Sequence, residues 1–432
     1  MWSSNRKKST SRYGNKTVIR KILLVLPDLG GSYVVGRHVE AALNRLGLNV
    51  FAFDGRLYWR YLNRALTGLE DPRERKETAI SLFGTALLEK TVEFEPDLIL
   101  VFSLAPLWAR TLMMIGKLGI QRAYWLVEDF RLCREWEQVG AYYDHVFVIQ
   151  KAATKALKET GIEHVHHLPN AANHIAYRPL TLSEEQQQRY GAMLSFVGFP
   201  TANRVAVLEK LADLDLAVWG GGWDRVQMAK GLKRRLRDAG RWVEESEANI
   251  IANAGKITLN IHSHDPRAPE SRDFLNPRTF SVCAAGMFQL VDEREELADY
   301  LVPGEEIVVY HSVEELRSLI TYYLGHWQEA QAIAARGRKR VLREHTYEAR
   351  MRRMLTALGS PESATPEAIP ENEVRFRRYL ARIRETVSRG DRLNRRDRIV
   401  LLTEAIRTSS SWAEIGYGRP RPDGQERPEP SI

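Results

Sequence analysis

Short apolar runs alternate with amphipathic stretches along the first half of the chain. Six runs have the length and near-continuous apolar character of strands buried on both faces: 21–27, 49–53, 97–102, 123–127, 145–149 and 164–168. Helical periodicity lies between them, most clearly over 34–46 and 106–118. Regular alternation of strand and helix predicts a parallel sheet with right-handed crossovers.

The same pattern begins again after a polar break at 180–191. The second set of predicted strands is 193–197, 214–219, 256–261, 287–291 and 307–310. Predicted helices fill the gaps at 203–212, 244–253, 278–285 and 313–324, and a longer helical run follows over 327–358. The chain is therefore predicted to be an α/β protein with two Rossmann-like, parallel-sheet domains.

Composition shifts give the predicted boundaries. The two Rossmann-like domains are expected at 20–182 and 190–345, with a closing helix at 346–358. A linker rich in Pro, Ser, Ala and Glu is expected at 359–373, and a basic helical extension at 374–410. Basic and Pro/Gly-rich composition predicts disordered tails at 1–19 and 411–432.

Bulk composition narrows the class of protein. Apolar residues make up 44% of the 432 and charged residues 27%, as in soluble globular proteins. No apolar run approaches the roughly 18 residues of a membrane helix, and residues 1–20 lack the apolar core of a secretory signal. Cys133 and Cys283 are too few and too far apart for a disulfide framework, so a cytoplasmic location is expected.

The net charge of +8 comes largely from the ends of the chain. Residues 375–432 carry many arginines and no lysine, and this extension suits contact with an anionic membrane face or a protein partner. A nucleic-acid protein is a third hypothesis that rests on charge alone, since no recognition helix, zinc finger or aromatic–basic sheet motif is present. We therefore expect no nucleic-acid partner.

Glycines follow the first predicted strand. Gly30 and Gly31 let the backbone turn sharply and let a ligand approach the amides, and Ser32 is suited to cap the next helix. Two interpretations fit this stretch. It contacts a diphosphate or an acceptor, or it only forms a tight turn between strand and helix. It matches neither a dinucleotide fingerprint nor a Walker loop, so neither a dinucleotide cofactor nor ATP is expected.

Further glycines and a basic residue open the second domain. Gly198 ends a predicted strand and Arg204 lies early in the next helix, which fits a phosphate-binding arginine or a solvated one. The stretch WGGGW contains Gly221 and Trp223. Either its two tryptophans stack on a base or a sugar, or they pack beside the loop without contacting a ligand.

The densest polar segment is DFLNPRTFS, residues 273–281. Asn276 suits a helix N-cap and Pro277 the first helical position. Polar residues in the first turn of an otherwise apolar helix are what a phosphate or ribose site requires. Upstream, KITLNIH runs from Lys256 to His262 and brings polar groups to the edge where α/β sheets bind ligands.

Metal-binding patterns are weak. Asp213 and Asp215 form a D-x-D pattern, but it enters an apolar strand rather than leaving one. The histidines at 164–167 and 262–264 are typical of polar loops. We expect no bound metal.

The sequence resembles the CgeB-like glycosyltransferases, the spore-maturation group of group 1 enzymes with the GT-B fold. The resemblance covers about residues 20–358 and is most specific in LNPRTFSVCAAGMFQLVD, EEIVVYHSVEELRSLITYYL and GRKRVLREHTYEARMRRML. SFVGFPTANR, LAVWGGGW and KITLNIH follow in the family's order. In the first half, YWLVEDFR is similar to the family's aromatic–acidic motif.

The resemblance implies transfer of a sugar from a nucleotide-sugar donor to an acceptor that is a glycan, a protein or a lipid-linked molecule. The donor is then a substrate, so no cofactor is expected. Domain 190–345 would hold the donor and domain 20–182 the acceptor side, with the two facing a cleft that closes during reaction. Metal independence and retention of the anomeric configuration follow by analogy.

The resemblance and the motifs together give the predicted site. Arg204 and Lys256 would face the diphosphate, Asp273 and the turn at 276–279 the sugar and phosphates, and position 281 the ribose. The substrate-binding residues are predicted to be Gly30, Gly31, Gly198, Arg204, Gly221, Trp223, Lys256, Asn260, Asp273, Asn276, Arg278, Thr279 and Ser281. Glu128 and Asp129 are the candidates for orienting the acceptor, or else they cap a strand end.

Two departures from the family pattern leave an alternative open. Ser281 stands where the family usually has glutamate, and Glu209 where related enzymes have lysine. A carboxylate can accept two charge-assisted hydrogen bonds from adjacent ribose hydroxyls, and a serine cannot match that; losing such a pair costs about 1.5–3 kcal/mol. The alternative function is a catalytically weak or inactive GT-B scaffold that acts as a binding protein.

Overall fold

A computed structural model describes residues 18–28, 30–263 and 272–359. The predicted tails at 1–19 and 411–432 and the extension at 374–410 lie almost entirely outside these residues. The strands within them are β1 Lys21–Leu26, β2 Asn49–Asp54, β3 Leu98–Phe102, β4 Gln121–Leu126, β5 His145–Val148, β6 Val165–His167, β7 Ala192–Val197, β8 Leu216–Trp219, β9 Gly255–Asn260, β10 Gln289–Asp292 and β11 Val308–Tyr310.

Helices alternate with these strands. They are α1 Gly30–Arg45, α2 Gly55–Ala65, α3 Pro72–Phe94, α4 Ala109–Lys117, α5 Trp136–Val139, α6 Lys151–Glu159, α7 Glu184–Tyr190, α8 Ala202–Glu209, α9 Lys230–Lys233, α10 Glu245–Ala254, α11 Pro277–Ala284, α12 Val313–Gly325, α13 Trp327–Glu344 and α14 Tyr347–Ala357. All eleven predicted strands are present in the described residues, each within a few residues of its predicted bounds.

The strands form two sheets. The first has the order β2-β1-β3-β4-β5-β6 and the second the order β11-β10-β9-β7-β8. Neighbouring strands run parallel, for example β1 with β3 and β7 with β9. The α/β class with two parallel sheets, predicted from the sequence, is confirmed.

The described residues divide into two compact units. One contains the residues up to 125, residues 138–144 and Gly359; the other contains 126–137 and 145–358. The second unit thus includes β5 and β6 of the first sheet as well as the whole second sheet. The domain boundaries near 182–190 inferred from composition therefore stay a prediction.

Burial explains why the apolar runs became strands. Every residue of β3 is buried, and the apolar side chains of β9 pack in one core with those of β7 and β10. A strand covered by helices on both faces must be apolar throughout. That requirement gives the continuous runs that the sequence shows.

The structure adds helices that the sequence analysis did not predict. Helix α3 is 23 residues long and starts at a Pro after the N-cap Asp71. Helix α7 lies in the predicted polar break and starts with a capping box formed by Ser183 and Gln186. No residue of α7 is buried, so it lacks the apolar stripe that marks a helix in sequence.

Candidate functional site

Helix α11 begins at the carboxyl edge of the second sheet, as its sequence predicts. Asn276 is the N-cap, and its side chain accepts a hydrogen bond from the amide of Thr279 at 3.1 Å. Pro277 occupies the first helical position, where its missing N–H has no cost. The remaining amides of the first turn and the positive end of the helix dipole favour an anion there.

A buried network of polar side chains holds this helix end against the sheet. Asn260, at the end of β9, donates to the hydroxyl of Thr279 at 3.0 Å and to Gln289 at 3.1 Å. Its carbonyl oxygen accepts from the side-chain amide of Asn276 at 3.0 Å. Three predicted substrate-binding residues thus bind each other and fix α11 in place. Gln289, the first residue of β10, is a further member of this network that the sequence patterns did not indicate.

Two arginines lie beside this network. The guanidinium of Arg278 donates to Asn260 at 3.3 Å and to the carbonyl of Val197. That of Arg204 donates to the carbonyls of Ile261 and Phe199, at 2.9 and 3.0 Å. The guanidinium carbons of the two arginines lie 5.5 Å (Arg204) and 5.2 Å (Arg278) from the centre of the Phe196 ring. The structure therefore brings these two predicted residues together.

Neither arginine has a carboxylate partner among the described residues. Burial, followed by the positive charge of Arg278, lowers the pKa of Arg204 to about 9, although the negative charge of Asp292 partly offsets the shift. Burial also lowers the pKa of Arg278 to about 10. Both pKa values are lowered mainly by burial, and because neither guanidinium has an ion pair among the described residues, a bound anion would stabilise the two positive charges.

A histidine–aspartate pair lies close by. His262 is fully buried, and its Nδ1 lies 2.6 Å from a carboxylate oxygen of Asp292, which also contacts Arg294. Burial lowers the pKa of His262 to about 4 despite the nearby carboxylate. The imidazole is therefore neutral near pH 7, with its proton on the nitrogen that faces Asp292.

Trp223, in the glycine loop, is packed in the interior. It is buried at 1% exposure, and its indole N–H donates to the carbonyl of Gly198 at 2.8 Å. The side chain thus packs beside the loop, and its contact with a donor stays a prediction. The indole fixes the backbone of Gly198.

Glycines in this loop permit close approach of backbone and side chains. A Cβ on Gly198 would lie 2.7 Å from a terminal nitrogen of Arg278. Gly220 has φ of +124°, and a Cβ there would overlap the carbonyl oxygen of Gly198. A Cβ on Gly221 would lie 3.2 Å from the Phe199 ring.

Two exposed aromatic residues flank the same loop, and the sequence analysis missed both. Phe199 is 50% and Trp242 51% exposed, and their ring centres lie 5.4 Å apart. The carbonyl of Phe199 is the one that Arg204 binds, so this pair adjoins the two arginines. An aromatic residue directly after a glycine at a strand end was the available signal.

Lys256 is not part of this arrangement, so its prediction is wrong. It lies exposed near the start of β9, with its Nζ 4.8 Å from the centre of the Trp327 ring. Asn260 ends the same strand, about 13 Å further along at 3.3 Å per residue. The lysine therefore lies toward the opposite edge of the sheet.

The acidic motif after β4 joins the segment that precedes α11. The carboxylate of Asp273 accepts hydrogen bonds from both terminal guanidinium nitrogens of Arg131 at 3.1 Å and from the side-chain amide of Gln150 at 3.0 Å. Gln150 also donates to Asp129 at 3.0 Å, and the amide of Arg131 donates to the same carboxylate. The carboxylates of Asp129 and Asp273 are therefore hydrogen bonded to other residues of the protein. The half-buried Glu128 precedes Asp129 in the same turn.

The remaining predicted residues lie on two helices. Ser281 is buried within α11. Gly30 and Gly31 form the start of α1 in the other unit, and Gly30 has φ of +82°. Ser32 lies inside that helix and hydrogen bonds to Ser103 at 3.1 Å, so the prediction that it caps the helix is wrong.

Among the described residues, no group of three or more His, Cys, Asp and Glu side chains is placed to hold a metal ion. Asp213 instead binds Arg317 through both carboxylate oxygens, at 2.8 and 2.7 Å. In the same part of the chain, no helix combines the length and apolarity needed to cross a membrane.

The second half of the chain is similar to known glycosyltransferases. Residues 204–356 match a family model described as glycosyl transferase-like, and this segment contains both Arg204 and Arg278. The spore protein CgeB of Bacillus subtilis (strain 168) is 25% identical over 234 residues, which are 52% of this chain and 71% of that protein.

Solved structures share the fold. A glycosyltransferase from Rickettsia africae ESF-5 superposes with a TM-score of 0.56 at 14% identity, covering 79% of this chain and 98% of that one. HepE from Anabaena, in complex with UDP-glucose, superposes with a TM-score of 0.54 at 13% identity, covering 78% of this chain and 99% of HepE. Sucrose-phosphate synthase from Thermosynechococcus elongatus superposes with a TM-score of 0.52 at 14% identity, covering 78% of this chain and 98% of the synthase. With its two parallel sheets and its glycosyl transferase-like segment at 204–356, the chain is a glycosyltransferase of GT-B fold that is similar to CgeB.

Proposed function

We propose that this glycosyltransferase takes its sugar from a nucleoside diphosphate donor and that Arg204 and Arg278 bind the diphosphate. One observation carries the proposal: two arginines, held against one phenylalanine ring, have no carboxylate partner among the described residues. An anion of two linked phosphates would supply the missing negative charge. The complex of HepE with UDP-glucose supports a donor of this class.

The chemistry follows from this placement. As the bond between sugar and phosphate breaks, negative charge grows on the leaving diphosphate and the sugar becomes oxocarbenium-like. Fixed guanidinium groups and the amides at the start of α11 stabilise that charge without reorganising. Because the arginines can provide the positive charge, we propose that transfer proceeds without a metal. By analogy with group 1 enzymes, we further propose that the anomeric configuration is retained.

The structural role of the Asn260 network also belongs to this proposal. Asn260 binds both Asn276 and Arg278, so it sets the helix end and one guanidinium relative to each other. Preorganised donors of this kind matter most in a partly desolvated site. The proposed acceptor is a hydroxyl group of a glycan, a protein or a lipid-linked molecule. Cys133 and Cys283 are unpaired and buried, which fits a reducing, cytoplasmic location.

Calorimetric titration with UDP, GDP, ADP and TDP tests the diphosphate site. At least one should bind, and Arg278→Ala should weaken it about tenfold or more, since a charge-assisted hydrogen bond contributes about 1.5–3 kcal/mol. Arg225→Ala is the matched control because its side chain is 86% exposed. Unchanged affinity in Arg278→Ala would refute the assignment.

A second assay separates enzyme from binding scaffold, the alternative that Ser281 favours. A panel of nucleotide sugars is incubated with the protein, with and without EDTA, and release of the nucleoside diphosphate is measured. Release that survives EDTA supports metal-independent transfer or hydrolysis. Tight donor binding with no release for any donor, acceptor or added metal would favour the scaffold. NMR of a formed glycoside distinguishes retention from inversion.

A further inference from the structure

Helix α4 and its flanking residues expose large apolar side chains to solvent. Trp108 is 39% exposed, Met113 46%, Met114 42% and Leu118 50%. Helix α4 buries Thr111, Leu112 and Ile115 on its other side. Four neighbouring large apolar residues exceed the scattered single exposures that are normal on a protein surface.

Basic side chains share this surface, and acidic ones are missing from the helix. Arg110 and Lys117 are exposed and lie seven residues apart, which places them on the same side of α4. The sequence of α4, ARTLMMIGK, contains no Asp or Glu. The face therefore combines apolar bulk with uncompensated positive charge.

Helix α2 repeats this composition. Arg56, Arg60 and Arg64 recur every fourth residue and are exposed, and Tyr61 is 55% exposed beside them. Helix α2, GRLYWRYLNRA, also contains no Asp or Glu. Long arginine side chains and an interfacial tyrosine are typical of helices that lie on a lipid surface.

The fold places α2 and α4 in one layer. Right-handed crossovers put the helices between β2 and β3 and the helix between β3 and β4 on the same face of the sheet. Contacts agree: Tyr58 of α2 lies 5.9 Å from the Phe83 ring on α3, and a Cβ on the adjacent Gly84 would overlap Thr111 of α4. Helix α3, between them, exposes more acidic than basic side chains (Glu74, Glu77, Glu89 and Glu93 against Arg73 and Lys76), so the positive charge of the layer comes from α2 and α4 alone.

We propose that this layer, the exposed faces of α2 and α4, docks the first unit on an anionic lipid surface. Trp108, Met114 and Leu118 would enter the headgroup boundary while the basic side chains bind lipid phosphates. A second copy of the chain is a poorer occupant, because a symmetric interface formed by α2 and α4 would bring positively charged helix faces against each other. The proposal is independent of the donor site in the second unit.

Co-sedimentation of the full chain with vesicles tests the proposal. Vesicles of phosphatidylcholine with phosphatidylglycerol should bind the protein, those of phosphatidylcholine alone should bind it much less, and added salt should weaken binding. Met114→Asp should reduce partitioning about tenfold, since it places a charge where an apolar side chain enters the interface. Met193→Asp is the matched control, because Met193 is 45% exposed but lies in the second unit.

Each other outcome counts against the proposal. Absence of binding to anionic vesicles overturns it, and so does equal binding by Met114→Asp and the unchanged chain, because lipid contact would then come from elsewhere, such as the basic residues beyond 373. Self-association that Met114→Asp abolishes in analytical ultracentrifugation, without vesicle binding, would assign the face to a second copy. Far-UV circular dichroism of both variants excludes loss of fold as the cause.

Discussion

Asp273 binds both terminal guanidinium nitrogens of Arg131 at 3.1 Å, across 142 residues of sequence. The pair connects the turn after β4 with the segment that leads into α11. Asp273 is buried at 4% exposure, and Gln150 is its second donor. A bidentate pair with a further hydrogen bond satisfies the carboxylate and orients the approach to the candidate donor site.

Breaking this pair should destabilise the second unit. Arg131→Ala leaves the Asp273 carboxylate buried with only Gln150 as partner, and we expect a loss of about 2 kcal/mol in the free energy of unfolding, less than for a fully buried pair because Arg131 is partly exposed. Urea unfolding measures it. Arg134→Ala is the control, since Arg134 is 69% exposed in a pair with Glu137, and its loss should stay below about 0.5 kcal/mol. Equal losses would contradict a structural role for the pair.

Adding one methyl group at Gly198 should impair donor binding more than folding. The new Cβ would lie 2.7 Å from the end of the Arg278 side chain, which would be displaced from its place, and 3.1 Å from the Phe196 ring, which would have to shift by a few tenths of an ångström. Gly198→Ala should therefore lower the affinity for a nucleoside diphosphate about tenfold, with a melting temperature close to that of the parent. Gly325→Ala provides the comparison, because a Cβ there has no neighbour within 4 Å. An unchanged affinity would separate Arg278 from the diphosphate.

The exposed pair of Phe199 and Trp242 predicts a distinction between nucleotide and bare phosphate. If the base stacks on Trp242, Trp242→Ala should lower the affinity for the best nucleoside diphosphate about tenfold, since stacking on an aromatic side chain contributes about 1–3 kcal/mol. The affinity for pyrophosphate should not change. Calorimetry with both ligands decides, and a parallel loss for pyrophosphate would show that Trp242 supports the phosphate site instead. Tyr322→Ala, at another exposed aromatic residue, controls for general effects.

His345 should make the protein less stable in mild acid. Its Nε2 bonds to the carbonyl of Tyr300 at 3.0 Å and its Nδ1 lies 3.1 Å from a nitrogen of Arg350. Burial, followed by the charge of Arg350, lowers the pKa from 6.5 to about 4; the smaller effect of Arg340 acts in the same direction, and those of Glu344 and the Tyr300 carbonyl oppose it. The neutral ring is thus favoured in the folded state.

The sign of the pH dependence follows from this lowered pKa. Below pH 6.5 the histidine binds a proton in the unfolded chain but stays neutral in the folded protein until the pH approaches 4. The stability contributed by neutral His345 is therefore complete above pH 6.5 and is lost as the pH falls toward 4. The loss approaches about 1.4 kcal/mol per pH unit. Urea unfolding of the parent and of His345→Gln should show a difference that is constant above pH 7 and shrinks below 6. A difference that stays constant down to pH 4.5 would contradict the shift.

Local patterns were sufficient for the secondary structure of the sheets. Strands such as β3 are apolar at every position because helices cover both faces, and this property is visible in sequence without knowledge of neighbours. The start of α11 could also be predicted from local sequence, because Asn276 and Pro277 suit the N-cap and the first position of a helix. Helix α3 was missed because its apolar residues are spread around the helix and leave no apolar stripe.

The sequence by itself determined the class of the fold and the helix end at which polar groups collect. Tertiary structure alone decided which of those groups meet: it paired Arg204 with Arg278 on one ring, buried Trp223 and placed Lys256 toward the far edge of its strand. Hydrophobic periodicity is a property of neighbours in sequence. The direction of a side chain and the partner it finds depend on strand order and on residues more than a hundred positions away, as for Arg131 and Asp273.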